Sequence, residues 1–313
     1  MTLVGYLPRS IAALPLLLFA AGCVPPDAVR DVAAAPPAAK ASPRPVSSTV
    51  PPPAAILEPF VFRGSRRSAE QGGVLLGVAP SHTRALTLDG QPVPVAADGS
   101  FLIAFDRDAG PRARLVATVR DGRQVVEEIM VTPGTWRIEQ VNAPYRGSAA
   151  SDADFARRRP AELAQIASAR TLQVQSDGWK QRFRWPVTGR LSGFFGSQRV
   201  YQGKPGAYHS GTDIAAPAGT PFVAPADGVV VLAATTPFTL EGRLLIVDHG
   251  MGLSSAFLHC QRLDVKVGDA VVQGQALGTV GRTGRATGPH LHWGLKWRDA
   301  RLDPSKIAGP IGG

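Results

Sequence analysis

Four histidines and an aspartate in the last third of this 313-residue chain have the types and spacing for metal and acid–base chemistry. His290-Leu291-His292-Trp293-Gly294-Leu295 alternates in polarity, the pattern of a β-strand. Strand side chains repeat every two residues, so His290 and His292 share one face while Leu291, Trp293 and Leu295 point to the other. His209 and Asp213 stand four apart across Ser210-Gly211-Thr212, a turn able to bring both side chains to one point. His259 ends the apolar run Phe257-Leu258, and five of the six histidines fall between positions 209 and 292. Imidazole nitrogens and carboxylate oxygens are metal donors, and a catalytic zinc takes three protein ligands while keeping a fourth position for water. His209, Asp213 and one imidazole of the 290–292 pair make such a set. His259 and the remaining imidazole are left for proton transfer, since histidine titrates near neutral pH.

A purely structural role competes with this reading. Paired histidines on a strand are often packing residues, yet five polar side chains converging on one place need a compensating partner. His249, in Asp248-His249-Gly250, has the local sequence of a turn, and His82 stands alone as a surface residue. Cys260 directly follows His259, so strand alternation puts its thiol on the opposite face, as a small core residue and not a nucleophile. The Gly-rich stretch from Gly281 to Pro289 leaves room for a substrate backbone.

Three segments taken together carry a resemblance: His209-Ser210-Gly211-Thr212-Asp213-Ile214-Ala215-Ala216-Pro217, Phe257-Leu258-His259 and Gly288-Pro289-His290-Leu291-His292. In this order they are similar to the M23 metallopeptidases, the lysostaphin or LytM-type family, over residues 185–304. The resemblance implies that His209, Asp213 and His292 ligate zinc. It makes His259 and His290 the non-ligand catalytic pair, which position the attacking water, shuttle its proton or stabilise the oxyanion. It implies an antiparallel β fold with an open groove, acting on peptide cross-links of peptidoglycan. Some members also use a tyrosine upstream of the first ligand, a role that neither Tyr201 nor Tyr208 clearly matches.

Positioning five such side chains requires a sheet, and the pattern around them is a series of short strands. Thr220–Val223, Gly228–Leu232, Leu244–Val247, Ser254–Leu258 and Ala270–Val272 precede the His290 strand, with turn signals at Asp227-Gly228 and Gly268-Asp269. Residues 185–305 therefore read as one β domain, followed by a tail over 306–313. Upstream, runs such as Val74–Val78, Phe101–Phe105 and Leu115–Val119 are separated by Asp-Gly turns at 89–90, 98–99 and 121–122. This spacing suggests a small immunoglobulin-like β-sandwich over 58–141. Residues 142–184 form a helical connector, with apolar residues at helical spacing over 160–170 and Pro160 suited to the first turn. The fold expected is mainly β, two β domains joined by that connector.

The N-terminal end looks like an export signal. Arg9 precedes an apolar run from Ile11 to Ala21, and Ala20-Ala21-Gly22 supplies small residues before Cys23. That arrangement resembles a bacterial lipoprotein processing site, with Cys23 as the lipidated residue, although Ala20 stands where the pattern has leucine. Cleavage near Ala21 or Gly22 without lipidation is the alternative. Residues 24–57 are Pro- and Ala-rich, a solvated tether. With a formal charge of +10 the chain suits an acidic partner, such as an anionic cell-wall polymer or lipid surface. Arg157-Arg158-Arg159 lacks aromatic interleaving or a nucleic-acid motif and reads as a solvated face, so nucleic acid is not an expected partner. The two cysteines do not make a disulfide framework.

Function expected from these readings is a zinc endopeptidase acting on peptidoglycan from the periplasmic side of the envelope, membrane-anchored through Cys23 or soluble. The alternative is a non-catalytic relative that activates cell-wall amidases, a role associated with lost metal ligands. All five positions here hold the required residue. A further expectation is that the first domain and connector shield the groove, so that removing residues 24–180 raises activity.

Overall fold

The computed structural model describes residues 56–65, 67–144, 153–172 and 174–311. The expected signal segment, Cys23 and the tether up to residue 55 lie outside them. The described chain is mainly β, and the described residues form one compact unit. No described helix is long and apolar enough to cross a membrane.

Two sheets form the N-terminal part. One pairs Val61–Phe62, Val74–Val78 and Ser100–Ala104; the other holds Ser68–Glu70, Thr83–Leu88, Gln91–Val93, Arg112–Val119 and Gln124–Thr132. Asp89 and Gly90 both have positive φ (48° and 79°), the geometry that lets a two-residue turn follow the twist of the strands it joins. Phe60, Phe62 and Phe101 stack edge and face between the sheets, with Leu115 and Ile129 fully buried beside them.

Ile138–Val141 (β1) leaves this part and pairs in parallel with Gln198–Tyr201 (β3), next to the site-bearing sheet. That sheet contains Arg190–Gly193 (β2), Thr212–Ala215 (β4), Gly228–Ala233 (β5), Arg243–Asp248 (β6), Leu253–Cys260 (β7), Leu291–Trp297 (β8) and Ala300–Leu302 (β9). Its order is β2-β4-β8-β7-β6-β5, with Ala270–Val271 beyond β5 and β9 paired to β8. Every pair is antiparallel. Ile214, Leu245, Phe257, Leu291, Trp293 and Leu295 point to one face and join the apolar core that also holds Phe60 and Phe101.

On the other face, Val231, Leu244, Ile246 and Ala256 pack against Ala169 and Ile166 of the helix Ala153–Thr171 (α1). The apolar spacing predicts a helix beginning at Pro160, but α1 starts seven residues earlier. Tertiary anchors explain the difference, since they hold the turn into which Pro160, having no backbone N–H, cannot donate. Arg159 makes two bonds to Glu241, at 2.6 and 2.8 Å, and Arg158 donates to the Pro237 carbonyl at 2.6 Å. The three arginines are therefore not one solvated face. Successive helical positions point about 100° apart, so two of the three turn toward protein.

Candidate metal centre and active site

Cross-strand register assembles the cluster. Asp213 on β4 lies directly opposite His292 on β8, which places both side chains on the face that α1 covers further along. His209 enters from the loop before β4, where its N–H bonds the Ser197 carbonyl and its own carbonyl accepts from Gly196. His209 Nε2, Asp213 Oδ1 and His292 Nδ1 lie 2.8–3.1 Å from one another. The space is held open by glycines. A Cβ on Gly211 would lie 2.5 Å from His292 Nε2, and one on Gly193 would collide with the Asp213 carboxylate.

Hydrogen bonds fix the tautomers, because a carbonyl oxygen can only accept. His209 Nδ1–H donates to the Phe194 carbonyl at 3.1 Å, which leaves Nε2 with its lone pair toward Asp213 and His292. Three donor atoms thus face one point, an arrangement that a divalent cation satisfies. Their separations approach the roughly 3.3 Å expected between tetrahedral ligands about 2.0–2.1 Å from zinc. Among the described residues this is the one group of three or more His, Cys, Asp or Glu side chains placed to hold a metal. Burial alone would raise the Asp213 carboxyl, but His209 and His292, which donate to it and attract it once protonated, hold it far below the ordinary carboxylate range. Burial also opposes protonation of His209, yet the Asp213 hydrogen bond and charge outweigh it and raise that pKa. For buried His292, desolvation wins and the pKa falls.

His259 and His290 stand beside this triad with ring centroids 4.8 Å apart. His259 Nδ1–H donates to the Thr283 carbonyl at 2.8 Å and His290 Nδ1–H to the Gly288 carbonyl at 2.9 Å. Both therefore keep an Nε2 lone pair, and that of His290 lies 3.7 Å from Asp213 Oδ1. Burial pushes the His259 pKa down to about 4, against the Thr283 hydrogen bond, so its imidazole is a neutral base at pH 7.

His259 reaches this face only because the strand breaks its own alternation. Its φ is +65°, and the β6–β7 register moves from Leu245↔Phe257 to Arg243↔Cys260, so Leu258 and His259 share one opposing residue. This bulge turns His259 to the metal side and returns Cys260 to the core. There Cys260 is fully buried, and desolvation lifts its thiol to about 12, too high for a nucleophile at neutral pH.

An overall likeness accompanies the site. The crystal structure of an M23 family protein from Pseudomonas aeruginosa is 31% identical with a TM-score of 0.59, matching 76% of this chain and 94% of that one. The description of peptidase family M23 matches residues 207–304, which contain all five site residues. The chain belongs to peptidase family M23. Among curated relatives, the peptidoglycan DD-endopeptidases ShyA and ShyC of Vibrio cholerae are 38% identical over 131 residues and 43% identical over 152 residues. These matches take in 41% and 49% of this chain but only 30% and 31% of the two relatives, so the chain spans about a third of their length. The cell division protein DipM of Caulobacter vibrioides is 34% identical over 148 residues, 47% of this chain and 23% of that protein.

Several residues of this M23 site escape sequence reading. The Phe194, Thr283 and Gly288 carbonyls that orient three imidazoles belong to no motif. The Gly-rich stretch 281–289 does not simply leave room. It packs Gly284 against Gly242 and pairs Gly281 with His290. Tyr208 is occupied elsewhere, donating to Asp106 at 3.2 Å and accepting from Arg301 at 3.3 Å. His249 sits at a strand end but is fully buried, donating to the Asp227 carbonyl at 2.7 Å and accepting from Ser255 at 2.8 Å. His82 is exposed in a turn.

Proposed function

We propose that the protein is a zinc-dependent endopeptidase hydrolysing peptide cross-links of peptidoglycan in the cell envelope. The observation that carries this reading is the convergence of His209, Asp213 and His292 with two carbonyl-oriented imidazoles, His259 and His290, alongside. The names of ShyA and ShyC support peptidoglycan as the substrate. In this reading His209, Asp213 and His292 hold the zinc, one carboxylate and two imidazoles being a donor set suited to it. A zinc ion bound there supplies Lewis acidity toward water and a peptide carbonyl.

The chain's own residues do the rest. His259, neutral and fixed by Thr283, accepts the proton of the attacking water at Nε2. His290, fixed by Gly288, receives that proton at Nε2 and from there donates it to the developing oxyanion or to the leaving amine. The immunoglobulin-like sandwich over 58–141 and the connector over 142–184 set the groove's borders. Export through the segment 1–23, with Cys23 lipidated, puts the site on the periplasmic face of the envelope.

The test uses the mature chain and its Asp213→Ala variant, with metal content measured and sacculus digests identified by mass spectrometry. One zinc per chain and cleaved cross-links, both lost in the variant, are expected. Bound zinc without any cleavage would overturn the hydrolase reading in favour of an amidase activator.

A further inference from the structure

A cavity of about 330 Å³ lies between α1 and the site face of the sheet, with His292 and Ser210 in its wall. Leu244, Ala256, Leu258 and Gly294 form its apolar floor. Its charged lining is unbalanced: Arg159, Arg170, Lys296 and Arg301 face a single carboxylate, Glu241, and Arg159 already takes both oxygens of that carboxylate.

Two of the three remaining cations, Arg170 and Lys296, have little to neutralise them, while Arg301 is drawn toward Asp106 and Asp108. Lys296 reaches only the fully exposed Asp299, at 3.4 Å, a pair worth little in water. Arg301 donates to the neutral Tyr208 hydroxyl, which Asp106 backs from behind. Arg170 is the least satisfied, because its buried Nε–H has no hydrogen-bond partner. Buried donors are almost always paired, so Arg170 is a cation short of acceptors among like charges. Desolvation and mutual repulsion lower both Arg170 and Lys296 below their ordinary values.

We propose that this cavity is a substrate subsite in which Arg170, Lys296 and Arg301 bind a free carboxylate of the peptide whose neighbouring bond lies at the metal centre. The proposal rests on the endopeptidase reading of the groove and specifies its substrate as an anionic peptide. Two parts of the fold contribute the cations. Lys296 shares the face of β8 with His292 and Gly294, and Arg301 is its cross-strand partner on β9. Arg170 comes from the last turn of α1, outside the residues that match the family description. A chain without that helix would keep the metal centre and lose one wall of the subsite.

Two peptidoglycan fragments test this: the uncross-linked tetrapeptide, which is not hydrolysed, and the cross-linked dimer, each in native and carboxylate-amidated form. Calorimetry on the zinc-loaded full chain should show the native tetrapeptide binding at least about tenfold tighter than its amide. Lys296→Ala and Arg170→Gln should each cut that ratio below about threefold. On native dimers the same variants should raise KM while leaving kcat within about twofold. Equal binding of both forms by the parent chain would overturn the subsite, as would full discrimination retained in both variants. If Arg170→Gln does not fold, judged by its thermal midpoint, Lys296→Ala on β8 decides alone. Discrimination without dimer cleavage would sink the hydrolase reading and leave the subsite standing. Cleavage without discrimination would do the reverse.

Discussion

At the metal centre Gly211 and Gly193 occupy positions where a methyl group would meet a donor side chain. Gly211→Ala should push His292 Nε2 aside and weaken zinc binding about 10–100-fold while the fold survives, read by competition with a chelator and by the thermal midpoint. Unchanged affinity would mean that β8 yields freely. The grouping of His290 with His292 followed from the strand period and that of His209 with Asp213 from their four-residue spacing, while the choice among them came from the family resemblance. Their supports were not legible: Phe194, Thr283 and Gly288 act through backbone carbonyls, which any residue carries. Buried His249 was missed for a related reason, since only packing shows that its turn is covered. Its Nε2 accepts from Ser255, which in turn accepts from Trp293, and burial lowers its pKa to about 4. An unfolded histidine titrates near 6.5, so between pH 6.5 and 4 the unfolded chain binds the extra proton and stability falls as pH falls. The contribution is present in full above pH 6.5 and shrinks by on the order of 3 kcal/mol by pH 4. Urea midpoints of the parent chain should decline through that window, and His249→Gln should flatten the slope by up to about one proton. An identical slope in the variant would shift the effect to other groups.

Among the elements, β7 and α1 show where pattern and structure part. Alternation along Phe257-Leu258-His259-Cys260 places Cys260 away from His259, as observed, yet it would also have turned His259 away from Leu258 and the groove. The bulge reconciles the two, and no residue type announces it. Strand positions elsewhere in the sheet followed hydrophobic runs closely. The start of α1 did not, because its first two turns are held by an ion pair and an arginine–carbonyl hydrogen bond to a loop some 80 positions later in sequence. Arg159 and Glu241 have 17% and 11% of their side chains exposed, so removing one partner strands a largely buried charge. Glu241→Ala should therefore cost about 2 kcal/mol, and adding Arg159→Ala should restore part of that loss in a double-mutant cycle. Because α1 carries Arg170, the single variant should also weaken carboxylate discrimination. Purely additive losses would mean that the pair contributes packing alone.

Across the whole molecule, the N-terminal sheets are built into the support of the site. Arg107, itself buried, donates from Nε to the Gly196 carbonyl at 3.0 Å and from Nη2 to Gln198 at 3.1 Å. Trp136 packs edge-on against Phe195 with centroids 5.5 Å apart and closes over Gly196, while β1 pairs along β3. These contacts brace the loop whose Phe194 carbonyl orients His209. The chain reading of two domains with a shielding connector therefore meets a structural cost: deleting residues 24–180 would strip Trp136, Arg107, β1 and α1 together. Unmasking of the groove would be offset by a loosened His209. Trp136→Ala isolates the supporting part of that balance, since it leaves α1 and the groove in place. It should lower stability by about 2 kcal/mol, a half-buried share of the usual aromatic-to-alanine loss, and weaken zinc binding at the same time. Phe101→Ala, within the N-terminal core and remote from the loop, should lower stability by at least as much without altering zinc affinity. Equal effects of the two substitutions on zinc affinity would mean that global stability, and not the brace under His209, connects the N-terminal sheets to the site.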